Sequence, residues 1–205
     1  MELHEALGQI TEIRLQMARS EVFRGYRSLT VASVGLMGVL AAIAQPYVVP
    51  SPANSLEAYL TLWISVAAVA LMLVAFGLWR RVRTTGSPMV RQSALLSADQ
   101  FLPCIAVGAL LTLAIYGGAR DAAWMLPGLW SLVFSLGVFA SHSQLPRQVF
   151  CVGVYFAVCG FVCLLWGQGI NAFSPWQMGI SFGGGLLIGA AILYWTLERT
   201  DDSQE

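Results

Sequence analysis

Six apolar stretches, each about one membrane thickness of helix, alternate with short polar segments along this chain. They run from Leu29 to Val49, Ala58 to Trp79, Phe101 to Gly118, Ala122 to Ser141, Val149 to Trp166 and Trp176 to Leu197. A hydrocarbon core of roughly 30 Å takes about 20 residues of helix, and none of the six holds an internal Asp, Glu, Lys or Arg. Membrane strands would instead show about ten residues of alternating polarity. The pattern therefore predicts an all-α fold: a polytopic membrane protein whose six transmembrane helices, residues 28–197, form a bundle.

Capping chemistry marks the ends of the stretches. Asn54 and Ser55 lead into Glu57, Ser97 precedes Gln100 by three, and Pro175 follows Ser174 at a first helical position. Asp121 is placed to cap the fourth span, Pro127 to kink it a turn further in, and the Gly117-Gly118-Ala119-Arg120 hairpin forces antiparallel neighbours. Ser87-Pro88 and the apolar residues after it predict a short helix along the membrane surface between the second and third spans.

Ahead of the first span, residues 1–27 place Leu3, Ala6, Leu7, Ile10, Ile13 and Met17 at helical spacing, with charged residues elsewhere on the wheel. This predicts an amphipathic helix that packs on the bundle, lies in the headgroup layer, or binds a protein partner or a second copy of the chain. Residues 198–205 form a short acidic tail. Ala42-Ile43-Ala44 before Gln45 resembles a signal-peptide cleavage site, but the flank of 27 residues and the full-length apolar run argue for a retained span.

Charge fixes the expected orientation. Of 205 residues only 11% are charged, against roughly 25% in an ordinary soluble domain. Eleven basic residues, all Arg, balance eleven acidic ones, so no bulk attraction to nucleic acid is expected. Ten of the eleven lie before the first span, in the second and fourth loops, or after the last span; only Arg120 lies on the other side. Basic flanks stay cytoplasmic, which predicts both termini inside a cell membrane, the inner membrane if the source is bacterial. Tyr47, Tyr59, Tyr116, Trp124, Trp166 and Trp176 then form the outer aromatic belt, with Trp79, Tyr194 and Trp195 at the inner one.

Candidate chemistry is sparse. The spans lack the ionisable residues that mark proton relays and ion pathways. No Cys-x-x-Cys or His-Glu-x-x-His motif occurs, and the histidines, His4 and His142, lie outside the apolar centres. No catalytic residue, metal site or cofactor is expected. Ser141-His142-Ser143 does not make a hydrolase site, because neighbours on a helix point in different directions. Cys104, Cys151, Cys159 and Cys163 read as packing residues, the last three on one face of the fifth helix.

Three groups remain as candidates. Trp130, Ser131, Ser135, Tyr155 and Cys159 sit at mid-membrane depth, where they either pack or line an aromatic pocket for an apolar or neutral ligand. Arg24, Arg27, Arg80, Arg81 and Arg83 share one depth at the inner leaflet, where they set topology or bind anionic lipid headgroups at about 1 kcal/mol each. Gly179, Gly183, Gly184, Gly185 and Gly189 give the last span small-xxx-small frames for close helix packing, with Gly35 and Gly38 a matching face on the first. The favoured expectation is a non-enzymatic membrane subunit or regulator that docks a partner or headgroups on its cytoplasmic face; the alternative is a small transporter or solute-binding component.

Overall fold

A computed structural model describes residues 28–52, 55–85, 88–141 and 147–198, and every element among them is helical. α1 spans Ser28–Val48, α2 Leu56–Thr85 and α3 Pro88–Gly118. A 3-10 turn, Arg120–Met125, leads into α4, Leu126–Ala140, and another, Arg147–Val149, leads into α5, Phe150–Trp166. The last helix, α6, is composite: Pro175–Met178, a π-helical Gly179–Gly184, an α-helical Gly185–Leu193 and a π-helical Tyr194–Glu198. Five helical runs are long and apolar enough to cross a membrane. The 17 residues of α5, about 26 Å of helix, make a shorter sixth. This is the build of a multi-pass membrane protein.

The helices start close to where the apolar pattern places them, but α4, α5 and α6 do not start by side-chain capping. Ser174 stands at the N-cap of α6 without a side-chain cap bond. The N-cap before the fourth span is Ala119, not Asp121, and it too lacks one. Ser55 donates its hydroxyl to the Ser51 carbonyl (2.8 Å). Pro127 falls in the first turn of α4, where a missing N–H costs nothing, so it begins a helix and does not kink one. The surface helix expected after Pro88 is the first part of α3, which passes through Ser97 without a break. The amphipathic helix over residues 1–27 with Arg24 and Arg27, the cap residue Asn54, His142 and the acidic tail from residue 199 lie outside the described residues.

Close packing follows the glycines. On α6, an added Cβ at Gly183 would stand 2.6 Å from Val39 Cγ2 and 3.0 Å from the Val39 amide nitrogen, so α6 meets α1 backbone to backbone. Gly35 and Gly38 are the matching positions on α1. Gly128 and Gly160 do the same for α4 and α5: a Cβ on Gly160 would lie 2.8 Å from the Gly128 carbonyl oxygen. With little hydrophobic drive between helices in lipid, such contacts gain dispersion energy from approach distances that a larger residue forbids.

Two apolar clusters fill the interior. One, around Tyr59, Leu60, Trp63, Leu126, Phe173 and Met178, lies toward the end of the bundle that carries residues 49–52, 117–125 and 167–175. The other surrounds Val138, Val152, Phe156 and Leu193. Phe182 packs against both, and its ring lies 5.4 Å from Phe156 and 5.5 Å from Phe134, with Phe101 beyond at 5.9 Å from Phe134. Tyr59 is completely buried and belongs to this core, not to an aromatic belt; Tyr47, Trp166 and Trp176 are the exposed aromatics at that end.

Candidate functional site

Most polar side chains of the interior find a partner on their own or a neighbouring helix, as a bundle in lipid requires. Ser131 donates to the Pro127 carbonyl (2.9 Å), Ser135 to Leu132 (2.9 Å) and Ser141 to Gly137 (2.9 Å), each one turn back on its own helix. Trp130 turns its indole N–H toward α3 and donates to Thr112 Oγ1 at 2.9 Å. Tyr155 turns the other way and donates its hydroxyl to the Ile180 carbonyl at 2.8 Å. That carbonyl lies in the π-helical turn of α6. The mid-membrane candidates therefore divide: Trp130 bridges α4 to α3, and Tyr155 bridges α5 to α6. Ser131 and Ser135 bond their own helix, and Cys159 alone of the five lines a groove.

That groove, about 250 Å³, opens between α5 and α6 near the 167–175 loop. Cys159, Val162, Cys163 and Trp166 form its α5 wall, and Trp176, Gln177, Ile180 and Ser181 its α6 wall. Asn171 and Ser174 close the loop end, and no Asp, Glu, Arg or His is among the lining residues.

A tightly folded loop shapes it. Gly167 ends α5, and a Cβ there would fall 2.3 Å from the Cys163 carbonyl oxygen. Gly169 takes a left-handed φ of 70° and leads a 3-10 turn. Phe173 holds φ 59°, a conformation that costs a non-glycine residue on the order of 1 kcal/mol. Two contacts hold it there. Its ring lies edge-on to Tyr59 at 4.8 Å, and its carbonyl accepts a 2.8 Å bond from Gln45 Nε2. The other end of the Gln45 amide accepts the Trp63 indole N–H at 3.0 Å. A fully buried glutamine on α1 thus joins α2 to the loop that frames the groove.

Two buried side-chain atoms lack hydrogen-bond partners among the described residues, and both belong to this region. One is Gln177 Oε1. Its amide orientation is fixed, because Nε2 donates to the Asn171 carbonyl at 2.9 Å. The other is the hydroxyl of Tyr59, whose ring packs on Phe173 of the loop. Sequence reasoning singled out Cys159 here but missed Gln177, Asn171 and Ser174, because a polar residue next to a helix start reads as a cap.

At the opposite end of the bundle, α2 carries Arg80, Arg81 and Arg83 in its last turns, and the Arg83 guanidinium stacks on the Trp79 ring at 4.3 Å. Gly183 lies on α1 and Gly185 on Phe156, whose ring atoms a Cβ would meet at 2.7 Å. Gly179 faces Ala42, Gly184 faces the Tyr155 hydroxyl, and Gly189 has ordinary room beside Val152. Comparison of the chain with protein-family models, curated proteins and solved structures finds no match. The fold and the groove define a helical multi-pass membrane protein, and its function has to be argued from its own geometry.

Proposed function

We propose that this protein is a non-enzymatic membrane subunit or regulator, with both termini cytoplasmic, that docks a protein partner or anionic lipid headgroups on its arginine-bearing face. One observation carries the reading. α2 and α3 have 30 and 31 residues, about 45 Å of helix each, against a hydrocarbon core of roughly 30 Å. Their ends near residues 56 and 118 are level, because Tyr116 donates its hydroxyl to Glu57 Oε1 at 2.7 Å. The surplus of about 15 Å in each helix therefore extends past the other side of the membrane. Arg80, Arg81 and Arg83 on α2 and Arg91 on α3 lie on those extensions. Helix that leaves the bilayer beside the bundle offers a basic surface to headgroups or to an acidic partner. The aromatic filling of the interior, from Phe101 through Phe134 to Phe182, supports a docking role over passage of a solute through the bundle.

The test is a variant with Arg80, Arg81, Arg83 and Arg91 replaced by Gln, purified from its native membrane beside the wild type. Loss of co-purifying anionic lipid or of a cytoplasmic partner, with sidedness and thermal stability unchanged, is the expected result. An unchanged complement of lipid and protein would overturn the reading.

A further inference from the structure

The groove between α5 and α6 lies beside the loop that joins these two apolar helices, where the edge of a bilayer's hydrocarbon core would fall if the helices span it. Trp166 and Trp176, 70% and 60% exposed, flank it, as indole rings do at a membrane interface. Its polarity falls with depth. Asn171, Ser174 and Gln177 stand at the loop end; Ile180 lies about one turn deeper on α6, and Cys159 lies about 10 Å below Trp166 on α5. An amphiphile has the same gradient over the same distance. The walls carry no charge, so an ionic headgroup drawn into them would lose its hydration without a counterion.

The hydrogen-bonding capacity of the walls narrows the chemistry. Gln177 Nε2 is committed to Asn171, which leaves Oε1 as an acceptor in need of a donor. Gln177 lines the groove, and its Oε1 is buried at the groove wall. A buried polar atom without a partner costs about 1–3 kcal/mol, so a hydroxyl that reaches Gln177 Oε1 gains more there than it does in bulk lipid. At about 250 Å³ the groove holds a glycerol-sized headgroup and several methylenes, not a whole lipid.

We propose that this groove binds the hydroxylated headgroup and first methylenes of an uncharged lipid with the chemistry of a monoacylglycerol. The hydroxyl donates to Gln177 Oε1, Asn171 and Ser174 take the remaining headgroup oxygens, and the chain descends past Ile180 and Cys159 into the bilayer. The site is independent of the arginine face and goes beyond the docking role.

The experiment uses the full-length protein in phosphatidylcholine nanodiscs with a diazirine-bearing monoacylglycerol as probe. Labelling is mapped by mass spectrometry. Saturable labelling of the peptides containing Cys159–Trp166 and Trp176–Ser181 is expected, competed by 1-oleoylglycerol and at least ten-fold less by oleate or methyl oleate. Gln177→Leu should reduce labelling at least ten-fold. Cys159→Phe, which fills the deep end without touching the loop, should do the same and decides the matter if the first variant does not fold. Labelling spread without saturation over all lipid-facing helices, or equal competition by methyl oleate, would overturn the proposal.

Discussion

A single amide holds the loop end of the molecule together. Gln45 sits on a helix of otherwise apolar and small residues, is completely buried, and uses both ends of its side chain, donating to Phe173 and accepting from Trp63. Gln45→Leu keeps the volume but leaves an indole N–H and a carbonyl buried without partners. We expect it to lower stability by about 2–4 kcal/mol, read as earlier unfolding in mixed detergent micelles. Tyr59→Phe, its neighbour in the same cluster, removes a hydroxyl that has no partner and should leave stability unchanged or raise it by about 1 kcal/mol. If the two variants behaved alike, hydrogen bonding would not be what fixes the loop. Neither role was legible in the sequence. Gln45 there falls inside the first apolar stretch and stands out only as the residue after a signal-peptide-like cleavage motif, and Tyr59 looks like a belt aromatic. What buries them is the 167–175 loop, more than a hundred residues away.

At the scale of the element, glycine spacing carried more information than hydropathy did. The apolar windows located the helices because a span must be apolar for about the thickness of the bilayer. They mark the apolar spans within α2 and α3 and not the full helices, since a helix leaving the membrane keeps its backbone bonds while its side chains turn polar. The π-helical turns of α6 left no mark that propensity could read; the Gly183-Gly184-Gly185 run permits them, and the Tyr155 hydroxyl takes up the Ile180 carbonyl within one of them. Glycines also differ in what they permit. Gly160→Ala drives a methyl to within 2.8 Å of the Gly128 carbonyl, an atom of a packed backbone, and should cost about 1–3 kcal/mol. Gly108→Ala meets nothing within 4 Å and should be neutral or slightly stabilising, because alanine is the better helix former. The same detergent unfolding assay measures both, and equal losses would mean that α4 and α5 do not meet at Gly128 and Gly160.

For the whole molecule, the segments between helices report sidedness. Gln168→Cys, in the α5–α6 loop, should react with a membrane-impermeant thiol reagent from outside intact cells, and Thr85→Cys, at the end of α2, only after permeabilisation. The reverse pattern would place the arginine face outside and remove the basis of the docking role. Tertiary structure also divides the helices unevenly. α1, α4 and α6 bury 39–44% of their spans, whereas α2 buries 11% and α3 none of it. Among these five, the two least covered spans are also the two most apolar, and this bears on how the protein is made. α2 and α3 carry enough hydrophobicity to partition from the translocon into lipid unaided. The glycine-rich spans on either side gain much of their stability only after they meet one another. Insertion and assembly then separate in time: the central hairpin settles first, while α1 waits in the bilayer for α6, synthesised more than a hundred residues later, before Gly35 and Gly38 can close on Gly183.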